Sequence, residues 1–269
     1  MALPVGGRRP SRNRHKRTRV LTFVVPAHNE AAHIEGCLDS IHQAAGEHPH
    51  EVVVVDDDSS DSTARLARAK GAEVESVQLR HIAAVRNTGA HRARGEVLFF
   101  IDADTRISRP YVEQALQALR GGAVGGGARF RFDGPRSLTT WWLTLLLDAI
   151  CRLANLSGGC ALFCSRDAFR RIGGFDTRYF ASEEIHFARR LKRLGRFQLV
   201  RATVLTSGRK LRAYSFLELA RLVLNYGFQG DRLLEQRAGL ELWYARRDDP
   251  GDTQKSPDVS GLSRSSLGL

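Results

Sequence analysis

The strongest constraint in this chain is a regular alternation of two kinds of segment. Short apolar runs rich in β-branched or aromatic residues, Val20–Val25, Glu51–Val55, Glu73–Val77 and Glu96–Ile101, are each followed by a longer stretch with helical character. The intervening stretches run from near Glu30 to Ala44, from Thr63 to Lys70 and from Ile82 to Arg94. A further helix is expected over Arg109–Leu119, with Pro110 in its first turn, where a missing N–H costs nothing. Gly71 and Gly95 close two of these helices, as glycine does when a chain must leave a helix. Strand–helix alternation of this kind implies βαβ units and a mostly parallel sheet. Runs as apolar as VVVV and VLFFI imply strands buried on both faces, with helices above and below. The expected fold class is therefore α/β, a Rossmann-like sheet with flanking helices.

From Gly121 onward the pattern changes. Ala128–Phe132 alternates as ARFRF, a pattern that suits a half-exposed strand and hints at antiparallel pairing. Leu138–Leu156 is the most apolar stretch and carries Trp141 and Trp142, but Asp148, Arg152 and Asn155 interrupt it. It falls short of the about 20 apolar residues that a membrane span needs. A core or interfacial helix is expected there, with Asp148 and Arg152 paired four residues apart. Cys160–Cys164 is another apolar run, Arg166–Arg171 a short helix, Ser182–Leu194 a helix, Phe197–Val200 a last strand and Tyr214–Gln229 helical.

Charge separates the ends from the middle. Residues 8–19, RRPSRNRHKRTR, hold seven Arg or Lys and no acid, so removing those seven from the net +12 leaves +5 for the rest. Such a run does not fold alone. Residues 1–19 are expected to be a basic disordered tail, 20–246 the folded domain and 247–269 a disordered C-terminal tail. The basic run suits an anionic membrane surface or a solubilising arm of no specific use, and it gives no sign of a specific nucleic-acid partner. No apolar signal region follows it. Cys37, Cys151, Cys160 and Cys164 fit no zinc spacing and read as small buried hydrophobes in a reducing compartment. The expected location is cytoplasmic, resting peripherally at the inner face of the cell membrane.

Ligands of open α/β sheets bind beyond the carboxyl ends of the strands. The first strand ends in Pro26-Ala27-His28-Asn29-Glu30, the second in Asp56-Asp57-Asp58-Ser59-Ser60-Asp61, the fourth in Asp102-Ala103-Asp104. Neighbouring strands would then gather carboxylates at one edge, where they repel unless a hard divalent cation neutralises them. In an extended segment residues i and i+2 point the same way, so Asp102 and Asp104 can face one cation together. Mn²⁺ or Mg²⁺ held by one or two carboxylates completes its shell with substrate phosphates, which points to a phosphate-bearing substrate. A basic segment after the last strand, Thr206 to Arg212 with Arg209 and Lys210, can cover a diphosphate.

Taken singly these signals are weak, and their joint order is specific. FVVPAHNE, VVVVDDDSSDST, RNTGAHRARGEVLFFIDADT and GGFDTRYFASEEIHFARRLKRLG stand in the order of the motifs of glycosyltransferase family 2, and the chain resembles that family over roughly residues 20–230. The resemblance implies a GT-A fold and a nucleotide-diphosphate sugar donor. It places Pro26, Ala27, Asn29 and Glu30 against the nucleotide and Asp57 on the base. Arg86 falls near the nucleotide, and Asp102 and Asp104 form the metal-binding D-x-D, with Asp104 the direct ligand. The sequence departs from the family pattern at Asp58, where glycine is usual. Either that turn is not left-handed here, or aspartate tolerates it. SEEIHF resembles the later E-D-x-D-L motif. This puts Glu184 on the general base, with Glu183 as the next candidate, and leaves His186 as a structural histidine. A carboxylate in reach of the acceptor hydroxyl can take its proton. Many family members also carry a mobile basic loop where Arg209 stands.

The expected activity is metal-dependent sugar transfer to an acceptor hydroxyl, with inversion as the family default. The alternative is a catalytically inactive, basic module of the same fold at a membrane surface. A dinucleotide dehydrogenase is excluded because G-x-G-x-x-G is missing after the first strand. Acceptor, sugar and oligomeric state are not legible.

Overall fold

A computed structural model describes residues 20–133, 159–179 and 182–209. The two tails, the Trp141/Trp142 stretch with Asp148, Arg152 and Cys151, and the expected helix Tyr214–Gln229 lie outside the described residues.

The first half builds the parallel sheet that the alternation demands. Strand β1 (Leu21–Ala27) is buried along its whole length. It pairs in parallel with β2 (His50–Asp57) on one side and with β4 (Val97–Ile101) on the other, and β3 (Glu73–Val77) extends the sheet beyond β2. Helices α1 (Ile34–Ala45), α2 (Thr63–Ala69), α3 (Ile82–Arg92) and α4 (Arg109–Arg120) connect and cover these strands. Between β4 and α4 lies β5 (Thr105–Arg106), only two residues long. Parallel pairing puts the carboxyl ends of β1 to β4 at one edge, and that edge is where the polar segments sit.

The second half closes the sheet with mixed pairing. It contributes β6 (Gly125–Phe132), β7 (Ala161–Ser165), α5 (Arg166–Ile172), α6 (Glu183–Leu194) and β8 (Phe197–Thr206). The strand order is β3-β2-β1-β4-β7-β6-β8-β5. Strand β7 runs antiparallel to both β4 and β6. The ARFRF segment, whose alternation hinted at antiparallel pairing, instead runs parallel to β8, while only the glycine-rich start of β6 pairs with β7. Strand β8 runs six residues past the expected end at Val200.

Two hydrophobic layers hold the sheet. On one face α1, α2 and α4 cover Phe23, Val25, Val54, Phe99 and Ile101, with Tyr111 of α4 fully buried among them. On the other face Val24, Leu98, Phe100 and Leu162 meet Ala90 of α3, Phe169 of α5 and Phe187 of α6. Burying each such large side chain contributes about 1.5–3 kcal/mol. Helix α3 lies close on β1 because Gly89 faces it: a Cβ there would come 2.3 Å from Val24 Cγ1. An aromatic cluster fixes the start of α6. Phe175 stacks on Phe187 at 4.0 Å between centroids and meets Phe100 edge-on at 4.9 Å. Cys37, Cys160 and Cys164 are buried free thiols, as expected, and burial pushes each thiol well above its usual pKa. Among the described residues no helix is long and apolar enough to cross a membrane.

Candidate active site

At the carboxyl edge the ends of β1 and β2 are bolted together by side-chain to backbone hydrogen bonds. Asn29 lies in a left-handed conformation (φ 55°), and its Oδ1 accepts from Ser60 N at 2.8 Å. Its own backbone N donates to Ser59 Oγ at 2.9 Å. Asp61 accepts from the backbone of Ala31 and Thr63, and Thr63 Oγ1 accepts from Glu30 N at 2.8 Å. The helix after this edge starts at Ile34, because residues 31–33 form a turn rather than the first turn of α1. Pro26 and Ala27 are buried inside β1, paired with Val55 and Asp56. Of the four residues expected against the nucleotide, Pro26 and Ala27 form the floor, Asn29 ties the two strand ends, and Glu30 alone sends a carboxylate across the edge.

Asp57 is buried, and its Oδ1 accepts from the backbone N–H groups of Leu79 and Arg80, at 2.7 and 3.1 Å. It thereby fixes the loop that leaves β3. Asp58 has φ 62°, so the turn is left-handed and aspartate tolerates it. Its side chain pairs with Arg80, 3.1 Å from Oδ2 to Nη2. His28 Nδ1 donates to the Asp57 carbonyl at 2.8 Å, which leaves Nε2 to accept from Arg80 Nη1 at 2.7 Å. The guanidinium of Arg80 is therefore aimed from two sides. Sequence reasoning missed Arg80 and His28. The signal was available, since Arg80 stands just past the carboxyl end of β3, the one strand end of the four left unread.

The D-x-D segment is a turn, not an extended strand. Strand β4 stops at Ile101, and Thr105 N donates back to the Asp102 carbonyl at 2.9 Å. The i, i+2 argument for a shared direction therefore does not apply, and the two carboxylates sit in adjacent ion pairs. Asp102 Oδ1 accepts from Arg86 Nη2 at 2.7 Å. Asp104 Oδ2 lies 3.3 Å from Arg209 Nη2, and the same guanidinium hydrogen-bonds Glu30 Oε1.

Arg86 is the buried hub. It is 3% exposed, lies 5.4 Å over the Phe175 ring, and joins Asp102 to Glu183 at the start of α6. Burial alone would lower its pKa, but Asp102 and then Glu183 outweigh burial and raise it. Asn87, the next residue, clips the loop before α6: its Nδ2 donates to the Phe175 carbonyl at 2.9 Å and its Oδ1 accepts from Phe175 N at 2.8 Å. The RNTG motif thus builds the support of the acidic helix start, a role the sequence reading did not assign to Asn87.

Glu183 is buried and occupied by Arg86. Glu184 points to the backbone of Gly159, where a Cβ would lie 2.8 Å from its Cγ and 3.0 Å from its Cδ. Burial, and then the neighbouring Glu183 carboxylate, push Glu184 up to about 8 against the pull of Arg86. His186 stacks on Tyr179 with centroids 3.6 Å apart and rings 8° from parallel, the packing of a structural histidine.

A hard cation fits this edge if it shares its shell with a substrate. Among the described residues no three or more His, Cys, Asp or Glu side chains form a ready metal cage. Mg²⁺ and Mn²⁺ need no such cage when one or two carboxylates and substrate phosphates share the shell. Asp102 offers such a carboxylate, with its side chain 35% exposed and one oxygen on Arg86, and Asp104 offers the second. The donor set is all oxygen, the chemistry those ions prefer.

This geometry has relatives. The family model described as "Glycosyl transferase family 2" matches residues 22–193, from β1 to the end of α6. The chain belongs to glycosyltransferase family 2. Glycosyltransferase AglE of Haloferax volcanii is 24% identical over 183 residues, covering 63% of this chain and 60% of that protein. The 4,4'-diaponeurosporenoate glycosyltransferase of Staphylococcus haemolyticus is 32% identical over 131 residues, covering 45% of this chain and 32% of that protein. The family 2 chain thus spans less than two thirds of the length of these curated relatives. Among solved structures, S. aureus TarS 1–349 in complex with UDP-GlcNAc superposes with a TM-score of 0.57 at 20% identity, over 80% of this chain and 68% of that one. A mannosyltransferase from Pyrobaculum calidifontis in complex with GDP-Man and Mn²⁺ gives 0.55 at 23% identity, over 83% and 71%. At these identities the structures show a shared fold, the expected GT-A architecture.

Proposed function

We propose that this family 2 member transfers a sugar from a nucleoside-diphosphate donor to an acceptor hydroxyl in one inverting displacement. The observation that carries the reading is Arg86, which joins the D-x-D turn to the acidic start of α6 at the strand edge. Asp57, Glu30 and the Arg80–His28–Asp58 group line the ends of β1 to β3 and take the nucleoside. Asp104 and Asp102 would hold Mn²⁺ or Mg²⁺, which would supply positive charge for the leaving diphosphate. Glu184 is the general base. It accepts the proton of the acceptor hydroxyl while that oxygen bonds to the anomeric carbon and the bond to the diphosphate breaks. Burial raises the Glu184 carboxyl above its usual range, which makes it a stronger base in its ionised form. Glu183 positions Arg86 and does not touch the reacting atoms.

Donor hydrolysis by water tests the reading without a known acceptor. UDP-, GDP- and dTDP-sugars incubated with the chain and Mn²⁺ are expected to yield one nucleoside diphosphate, and EDTA, Glu184→Gln or Asp104→Ala are each expected to stop it. Absence of hydrolysis with every donor would favour the inactive surface module. The basic run at residues 8–19 is proposed to hold the enzyme at anionic lipid, where a lipid-linked acceptor would lie. Liposome flotation of a chain lacking residues 1–19 should then lose binding, and unchanged, salt-insensitive binding would sink that role.

A further inference from the structure

The segment leaving β8 is anchored to the D-x-D turn itself. Thr105 and Arg106 pair with Leu205 and Thr206 in the two-residue β5–β8 ladder. Thr105 Oγ1 donates to Thr206 Oγ1 at 2.9 Å, and Ser207 N donates to the Asp104 carbonyl at 3.2 Å. Asp133 holds the same segment from the other side, donating from its N to the Thr206 carbonyl and accepting at Oδ1 from Gly208 N at 2.8 Å. Arg209 N then donates to Ser207 Oγ at 3.3 Å. This bracing delivers one guanidinium between two carboxylates from separate strand ends, Glu30 after β1 and Asp104 after β4. Both carboxylate side chains are 13% exposed, and Arg209 is 24% exposed.

Two acids brought so close repel unless a cation lies between them. Here the cation is a side chain of the protein, beside Asp104 Oδ2, an oxygen that a divalent ion would also take. At 3.3 Å from Asp104 Oδ2 the guanidinium stands on the approach to that oxygen, so an incoming divalent ion meets a like charge there. The guanidinium also binds diphosphate oxygens in the bidentate manner of a carboxylate. We propose that Arg209 is the resident counter-ion of the donor site. It neutralises Glu30 and Asp104, keeps a divalent cation from settling there alone, and transfers to the diphosphate when metal and nucleotide arrive together. Binding of metal and nucleotide is then cooperative, with Arg209 as the element whose release couples them. This inference rests on the reading of Asp104 as a metal-holding residue.

The test is Mn²⁺ binding to the full chain, read by the electron paramagnetic resonance of free Mn²⁺, for wild type, Arg209→Gln and the double variant Arg209→Gln/Asp104→Ala. Without nucleotide, Arg209→Gln is expected to bind Mn²⁺ at least about tenfold more tightly than wild type. With saturating UDP or GDP, whichever binds, the gap should close or reverse, because Arg209 then serves the diphosphate. Equal Mn²⁺ affinity of wild type and Arg209→Gln without nucleotide would overturn the inference and leave the transferase reading intact. Undiminished Mn²⁺ binding in the double variant would show that Asp104 does not hold the ion, which removes the metal site of the proposed function as well. Matching melting curves of the variants establish that the comparison is between folded proteins.

Discussion

Glu183 and Glu184 are chemically identical neighbours with unequal work, because Arg86 engages the first and Gly159 flanks the second. Glu183→Gln leaves a buried guanidinium short of a counter-charge, and breaking a buried pair costs about 3–5 kcal/mol. A chain of this size should then melt about 10 °C lower. Glu184→Gln keeps the Arg86 pairs, so at about pH 5, where Glu184 is protonated, it should melt near wild type, while transfer falls about 10²–10⁴-fold. Thermal denaturation and donor turnover measured side by side separate the two roles. The pH dependence of stability follows from the same residue. Glu184 has a folded pKa of about 8 against the ordinary 4.5, so between those values the folded protein keeps a proton that the unfolded chain has released. Its contribution is fully present below about pH 4.5 and is lost as pH rises toward 8. Melting in EDTA from pH 5 to 8.5 should therefore show a decline in wild type that is shallower in Glu184→Gln, and parallel curves would contradict it. The residue types of this site were legible by position. Asp58 was legible only as a departure, since a letter does not report φ, and its left-handed turn with Arg80 as partner required coordinates.

Elements were legible where burial on both faces makes a run continuous, as in β1, β2 and β4. They were missed where burial is one-sided or the element is short. In β8, Ala202, Val204 and Thr206 are buried while Arg201, Thr203 and Leu205 are exposed, so an arginine after Val200 looked like an end and was an outward-facing position. Two residues of β5 carry no period at all, and the turn at Asp102 is set by a hydrogen bond from Thr105 rather than by a sequence repeat. The junction of Gly159 with α6 is an element-scale feature with a sharp consequence. Gly159 has φ +81°, and a Cβ there would press on the Glu184 carboxyl. Gly159→Ala should cost only about 1–3 kcal/mol of stability from backbone strain. Its displaced carboxylate should lower kcat by about 10²-fold, as misplacing a catalytic group by about 1 Å does. The KM for the donor should hold, because the nucleotide contacts are elsewhere. An unchanged kcat would place the base at another residue.

At the scale of the whole molecule, four parallel strands deliver Glu30, Asp57, Arg80 and Asp102 to one edge, and the mixed strands β7, β6 and β8 bring the α6 acids and Arg209 to meet them. The parallel half follows from alternation alone, since a crossover helix between buried strands admits little else. The mixed half does not, because β7 runs antiparallel to both β4 and β6 while β6 runs parallel to β8, an order that strand–helix alternation does not specify. This shared edge is proposed to bind a nucleoside diphosphate together with a metal held by Asp104. Thermal shift with UDP, GDP and dTDP, each with and without Mn²⁺, tests it most directly. A ligand at 100 times its Kd adds about 2.7 kcal/mol of stability, a shift of a few degrees for a chain of this size. Such a shift is expected with one nucleotide, dependent on Mn²⁺ and abolished in Asp104→Ala. No shift with any of the three, at concentrations that saturate a nucleotide-sugar site, would contradict it.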